Sequence, residues 1–309
     1  MRYRSWLIVP GDSERKLGKA LATGSDVVVV DLDATVPFDA KPGARALVAE
    51  WLKAHRRQVL EQVPMARWVR INSLDSHLWR DDLVAVLPGA PEGIILPRST
   101  CPETLRELAA ELYELEQANQ LVAGSTKILP QVGETARSAL TIPSYADVAM
   151  PRLAGLAWSA EALGAAISAT RHCEPQGSWA EPFRFVRAQT LLTAHACGVM
   201  ALEAMHDDAE DLKGLKIAAK AARADGFTGM LASHPAQIAE INAAFTPSEF
   251  ELEEARKIVS ALDGGADGDA TPIDRRRIDM PQLKLAKQIL GSGETRTSDL
   301  TPMRVLRPA

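Results

Sequence analysis

Short runs of apolar, largely β-branched residues recur along the chain, and most stop abruptly at a turn residue or a polar side chain. Trp6-Leu7-Ile8-Val9 gives way to Pro10-Gly11-Asp12, and Val27-Val28-Val29-Val30 ends on Asp31. Runs without polar alternation are buried on both faces, as parallel strands beneath a layer of helices are. The pattern predicts strands over 6–9, 27–31, 68–71, 93–96, 128–132, 155–158, 200–205 and 230–233. A helical apolar period predicts helices between them, over 14–21, 42–55, 80–86, 102–119, 137–145, 183–196 and 211–224. Alternation of this length is the content of a (β/α)8 TIM barrel, whose active site is assembled from the C-terminal ends of its strands. An open doubly wound sheet has the same alternation, but the glycine-rich phosphate turn that would support it is missing.

The barrel pattern occupies 1–245 and then changes into a C-terminal helical extension over 246–290. Thr246-Pro247-Ser248-Glu249-Phe250 has the form of an N-cap and first turn ahead of an amphipathic helix over 251–262. The Gly- and Asp-rich stretch from Asp263 to Asp269 breaks that helix, and without a closing Glu it lacks the ligand set of a calcium loop. Ile278-Asp279-Met280-Pro281 leads into a helix over 282–290, and the polar residues 291–309 are expected to form a loose tail. No internal repeat is visible.

With 309 residues, 46% of them hydrophobic, the chain is large enough for one barrel core plus that extension. The formal net charge of −5 argues against nucleic-acid or anionic membrane surfaces as partners. An anionic substrate therefore needs a local positive pocket. Cys101, Cys173 and Cys197 are too few and too far apart for a disulfide framework or a Cys-based zinc site, which points to a reducing, cytoplasmic setting. No stretch approaches the ~20 apolar residues of a membrane span.

The strand ends supply the candidate chemistry. In Trp68-Val69-Arg70-Ile71-Asn72, alternation puts Arg70 and Asn72 on one face, where a guanidinium either clamps a carboxylate or pairs with a neighbouring acid such as Asp31. Asp31 and Asp33 also share a face, suited to magnesium through water, to a base, or to pairing with Arg70. Glu134 follows the fifth strand behind Gly133; it is either a hard-metal ligand at the barrel mouth or the acidic start of the next helix. His234, before Pro235, is a proton donor, a phosphate contact or a helix-start residue.

Taken together, these segments resemble the citrate lyase β-subunit-like (CitE-like) branch of the HpcH/HpaI aldolase/citrate lyase superfamily, over roughly Arg4 to Leu290. The motifs appear in order: Arg4 to Asp12, Asp31-Leu32-Asp33-Ala34, Val69 to Asn72, Leu96-Pro97-Arg98, Glu134-Thr135-Ala136, Ser144-Tyr145-Ala146, Arg152 to Leu156, His234-Pro235-Ala236-Gln237 with Ile238 to Asn242, and Ile278-Asp279-Met280-Pro281. The resemblance implies a TIM barrel that makes or breaks a carbon–carbon bond between a 2-oxo acid and a CoA-thioester enolate, with Mg2+. It implies a carboxylated 3-hydroxyacyl-CoA substrate of the citryl-CoA or malyl-CoA class. Arg70 then binds substrate, Glu134 holds the metal, and Asp279 or Asp31 handles a proton. Asn72, Arg98 and His234 join Arg70 and Glu134 as substrate contacts. Asp279 lies near the active site, in some relatives that of a neighbouring subunit, which implies a homo-oligomer, trimer or hexamer.

The chain also departs from the family pattern. Where the family reads Gly-x-Glu-Asp-Leu, this chain reads Ser159-Ala160-Glu161-Ala162-Leu163, so the second metal ligand is replaced by Ala162; Glu161 is the possible substitute. Ala34 replaces a further acid, and the family lysines become Arg98 and Met230. Two other readings therefore stand beside the lyase: a catalytically silent barrel that binds a ligand or partner, and an aldolase on free 2-oxo acids.

Overall fold

The computed structural model describes residues 3–55, 65–174, 177–263, 272–273, 276–277 and 280–293. Its first compact unit is Tyr3–Phe245. Eight parallel strands close there into a barrel in chain order: β1 Ser5–Pro10, β2 Val27–Asp31, β3 Ala66–Arg70, β4 Gly93–Leu96, β5 Lys127–Val132, β6 Gly155–Trp158, β7 Met200–Glu203 and β8 Gly229–Ala232. Closure is made by β1, which pairs with β2 on one side and β8 on the other. This is the (β/α)8 TIM barrel the apolar runs predict.

Strand alternation sorts the core into two layers. Trp6, Ile8, Val27, Val29, Trp68, Ile95, Leu129, Ala157, Leu202 and Leu231 fill the interior, while Leu7, Val28, Val30, Val69, Ile94 and Ile128 face the helices. Trp6 and Trp68 meet edge to face with ring centroids 5.0 Å apart. Gly93 is Cα-paired with Trp68, and a Cβ there would lie 2.4 Å from the indole. Only a glycine at that place leaves room for the ring.

The helices of this unit are α1 Glu14–Ala20, α2 Lys41–Ala54, α3 Trp79–Val86, α4 Pro102–Ala118, α5 Ala136–Ala139, α6 Ala160–Ala166, α7 Glu181–Ala196, α8 Leu212–Asp225 and α9 Ile238–Phe245. Two differ from the sequence expectation. The helix predicted over 137–145 is broken into α5 and a separate 3-10 turn, Ile142–Asp147, because Pro143 has no N–H to continue the ladder. The short α6 was not predicted: it is seven residues long and rich in alanine, so it carries little periodic signal. The seventh strand ends at Glu203 rather than at 205.

The second unit begins at Thr246. It holds α10 Glu249–Asp263 and α11 Met280–Gly293, which pack on each other. Ser248 caps α10: its Oγ accepts from the N–H of Glu251, whose carboxylate accepts from the Ser248 N–H in return. α11 extends to Gly293, beyond the 282–290 expected for it. Asp279, most of the Gly- and Asp-rich stretch, and the chain beyond Gly293 lie outside the described residues. Among the described residues no helix is long and apolar enough to cross a membrane.

Candidate active site at the C-terminal mouth of the barrel

The same alternation that builds the interior places Asp31, Arg70 and Gln131 inward at the ends of β2, β3 and β5, one step above Val29, Trp68 and Leu129. Asp31 and Arg70 are Cα partners. Their side chains form a two-pronged ion pair, Arg70 Nε to Asp31 Oδ1 at 2.6 Å and Nη2 to Oδ2 at 2.7 Å, with Asp31 0% and Arg70 7% exposed. Asp31 also accepts from the N–H of Asp33 at 3.0 Å, and from the N–H and hydroxyl of Thr35 at 2.8 and 2.6 Å. Burial pushes this carboxyl up, but the Arg70 guanidinium and these hydrogen bonds outweigh it and hold its pKa at about 2. Burial opposes the charge on Arg70 as well, yet Asp31 raises its pKa further above the usual range.

The pairing of Arg70 with Asp31, open in the sequence, is thus realised. Both Asp31 oxygens are engaged in these bonds, which fix the plane of the Arg70 guanidinium. Arg70 keeps one edge: its Nη1 lies 3.5 Å from Gln131 Oε1, at the long limit of a hydrogen bond. Asn72 is engaged as well. It is buried, and its Nδ2 donates to the Leu32 carbonyl at 3.1 Å and to Asp82 Oδ2 at 2.7 Å. Both amide hydrogens are consumed there, and Asn72 thereby ties the β2 end to α3.

Glu134 sits after β5, behind Gly133, whose φ of 72° and closeness to Val186 both require glycine. The helix that follows is capped by Thr135, not by Glu134. Glu134 is 7% exposed, and its Oε2 accepts the backbone N–H of Arg98. Burial raises its pKa to about 7 against the pull of that N–H and of the Arg70 and Arg98 charges; Asp33 adds to the push. Arg98 reaches this N–H geometry through a left-handed backbone, φ 51°. Its half-exposed guanidinium donates to Ser73 Oγ at 2.9 Å and to Asp33 Oδ1 at 3.2 Å. Arg98 therefore ties the β2 and β3 ends to Glu134.

Lys41 was not singled out in the sequence. Its buried Nζ donates to the carbonyls of Leu32 and Asp33 at 2.7 and 2.9 Å and fixes the loop after β2. Burial lowers its pKa, opposed by Asp33, Asp82 and Asp31. His234 is exposed beyond β8, where Nδ1 accepts from the Ala236 N–H at 3.2 Å, the helix-start role. Glu161 is exposed in the first turn of α6, and neither it nor His234 bonds to the Arg70 network.

Among the described residues no group of three or more His, Cys, Asp or Glu side chains is arranged to hold a metal ion. Glu134 nevertheless has the chemistry of a single hard-cation ligand. It is a buried carboxyl with one oxygen on a backbone amide, and burial raises its pKa although the Arg70 and Arg98 charges pull the other way. Mg2+ is commonly held by one or two carboxylates, with water and substrate oxygens completing the octahedron. The site fits such an ion with Glu134 as one ligand; Ala162 and Ala34 contribute none.

Comparison with known proteins adds to this geometry. The profile of the HpcH/HpaI aldolase/citrate lyase family matches residues 4–235. A citrate lyase subunit beta-like protein of Mycobacterium tuberculosis is 30% identical over 294 residues, covering 95% of this chain and 97% of the relative. The L-malyl-CoA/beta-methylmalyl-CoA lyase of Cereibacter sphaeroides is 28% identical, with 94% of each chain covered. The crystal structure of CitE from Mycobacterium tuberculosis in complex with magnesium, acetoacetate and coenzyme A superposes with a TM-score of 0.73 at 29% identity, covering 94% of this chain and 98% of that one.

Proposed function

The chain belongs to the HpcH/HpaI aldolase/citrate lyase family, and from that premise we propose that it is a carbon–carbon lyase acting on a carboxylated 3-hydroxyacyl-CoA. The substrate is of the malyl-CoA or citryl-CoA class, and the products are an acyl-CoA and a 2-oxo acid. The observation that supports this most directly is the state of Arg70. It is a buried guanidinium oriented by Asp31 on one edge, with Nη1 left at a mouth that also holds Glu134.

In this reading Arg70 receives the substrate carboxylate at Nη1 while Asp31 fixes its plane, so the anion meets a cation whose orientation is already set. The C3 hydroxyl loses its proton and the C2–C3 bond breaks. Its electron pair passes into the thioester enolate, which takes a proton at C2. With Asp31 spent, Asp279 is the acid–base candidate that remains. Glu134 would hold Mg2+, which when bound would supply Lewis-acid stabilisation of charge on the substrate oxygen. Arg98 holds Glu134 in place through its backbone and stays available to substrate through its half-exposed side chain.

Titration calorimetry with oxaloacetate and pyruvate in the presence of Mg2+, with a turnover assay on malyl-CoA and citryl-CoA, tests this. The parent is expected to bind and turn over, and Arg70→Lys to weaken 2-oxo acid binding about tenfold or more, because an ammonium lacks the planar fork. A parent that neither binds nor turns over overturns the lyase reading. Binding without turnover leaves a silent ligand-binding barrel, which the missing carboxylates at Ala34 and Ala162 favour. Cleavage of substrates free of CoA identifies an aldolase instead.

A further inference from the structure

Tyr145, from the Ser144-Tyr145-Ala146 motif, is bonded to the loop that carries Arg98. It lies in the 3-10 turn Ile142–Asp147, which packs against α7, and is 1% exposed. Its hydroxyl stands 2.7 Å from Ser99 Oγ. Ser99 Oγ in turn stands 2.9 Å from Thr104 Oγ1, and Thr104 Oγ1 donates to the Cys101 carbonyl at 2.7 Å. Each of these short oxygen–oxygen gaps holds a proton, and the hydroxyls of Tyr145, Ser99 and Thr104 have one apiece to give. The carbonyl can only accept. Thr104 therefore spends its proton on Cys101, Ser99 on Thr104 and Tyr145 on Ser99, so the line runs one way, from the phenol to the loop after β4. Burial raises the Tyr145 pKa above its usual value, opposed by the bonds to Ser99 and Thr104, and the phenol keeps the proton that this line needs.

What the line holds is the neighbour of Arg98. The φ of 51° at Arg98 is left-handed, and a residue with a Cβ keeps such a backbone only where its surroundings impose it. Three bonds on its C-terminal side do so: the Ser99 N–H to the Gln131 carbonyl at 3.2 Å, the Tyr145 hydroxyl to Ser99 Oγ, and Thr141 Oγ1 to the Thr100 carbonyl at 2.6 Å. In that conformation the Arg98 N–H meets Glu134 Oε2, and its guanidinium meets Asp33 and Ser73. We propose that Tyr145 is a positioning residue, which acts through Ser99 to set the Arg98 backbone that holds Glu134. This rests on the lyase reading, in which Glu134 is an ion ligand, and deepens it. A packing role would need only the ring, which phenylalanine also supplies; a positioning role needs the hydroxyl.

Two substitutions separate positioning from packing. Tyr145→Phe keeps the ring and deletes the donor; Ser99→Ala cuts the same line one step nearer Arg98 and tests it whether or not Tyr145→Phe folds. Without metal, hydrogen exchange of the Arg98 amide is expected to quicken about three- to tenfold in each variant, the worth of one hydrogen bond, while the amides of β1, β2 and β8 exchange as in the parent. With oxaloacetate present, calorimetric titration of Mg2+ is expected to show affinity lowered by a similar factor of about three to ten. The double variant is expected to bind Mg2+ no more weakly than Ser99→Ala, because both changes break one line. Faster exchange spread evenly over the barrel, Mg2+ affinity equal to the parent's in both variants, or additive losses in the double variant each overturn the proposal and leave the lyase reading standing. If the parent binds no Mg2+ with oxaloacetate, the assignment of Glu134 falls and the proposal with it.

Discussion

Replacing Asp31 with Asn removes one charge and leaves every neighbouring atom in place. The Arg70 guanidinium, 7% exposed, then has no counter-ion at its Nε and Nη2 edge, and one amide oxygen replaces two carboxylate oxygens that accept from Arg70, Asp33 and Thr35. Breaking a buried pair from one side costs about 3–5 kcal/mol, because the remaining charge is left unpaired in the interior. For a unit the size of Tyr3–Phe245 that corresponds to a fall in Tm of roughly 6–20 °C, at about 2–4 °C per kcal/mol. Acid gives an independent route to the same group. The Asp31 carboxyl is depressed from 3.8 to about 2, so its contribution is complete above the unfolded value and is lost as the pH falls from near 4 through 2. That interval corresponds to ~2–3 kcal/mol, less than the substitution costs, because a protonated Asp keeps its two oxygens. Thermal melts of the parent and Asp31→Asn, with the double variant Asp31→Leu/Arg70→Met, form the assay. The double variant is expected to regain most of the lost stability while losing 2-oxo acid binding, since an apolar pair replaces a buried ion pair at little cost. A drop of less than about 2 °C for Asp31→Asn, or a double variant no more stable than the single one, would refute the reasoning.

Four other outcomes are expected. Glu116→Gln, which weakens the ion pair with Arg152 at 2.7 and 2.8 Å and the bonds to the N–H groups of Gly124 and Thr126, should cost about 3 kcal/mol in urea melts yet leave ligand affinity unchanged. The Glu116 pKa is near 2 because Arg152 and those N–H groups overcome burial, so the parent should lose this contribution below about pH 4.5, and a parent and variant with identical acid profiles would contradict it. Gly93→Ala drives a methyl into Trp68 and should destabilise by about 1–3 kcal/mol or more; a wild-type Tm would show that the ring has room to move. Ala162→Asp should tighten Mg2+ binding in the absence of substrate about tenfold, measured by calorimetry, and no change would place the metal elsewhere than beside Glu134.

The strands were legible because burial on both faces leaves an uninterrupted apolar run, a signal that does not depend on partners far away in sequence. Helix boundaries were legible where Pro or a polar N-cap marked them; α6 was not, since a short alanine-rich turn is held by Ser159 and by packing that no local pattern records. At the site, alternation alone put Arg70 on the inner face, but whether Asp31 would take it depended on strand register. Asn72 shows a related limit: one of its acceptors, Asp82, comes from α3, and only the folded wall shows where the amide hydrogens go. Lys41 carries no local signal, because the Leu32 and Asp33 carbonyls that hold it meet its side chain only in the fold. Gln131 had a readable signal, a lone carboxamide in a strand whose other buried residues are apolar. Its meaning needed the neighbouring guanidinium.

The two indoles packed against each other beneath Arg70 have a consequence for traffic. Trp6 and Trp68 are fully buried, and with Gly93 admitting the ring they stop up the interior from below. Whatever reaches the Arg70 layer must arrive and depart by the same opening. Under the proposed lyase reading, a small acid lodged against Arg70 would be the deeper of two ligands and a bulky thioester would enter behind it. Arrival would then be small before large, and departure the reverse. In steady-state kinetics that ordering makes the deeper ligand the last to leave, so it competes directly with the free protein's first partner, whereas the larger one does not.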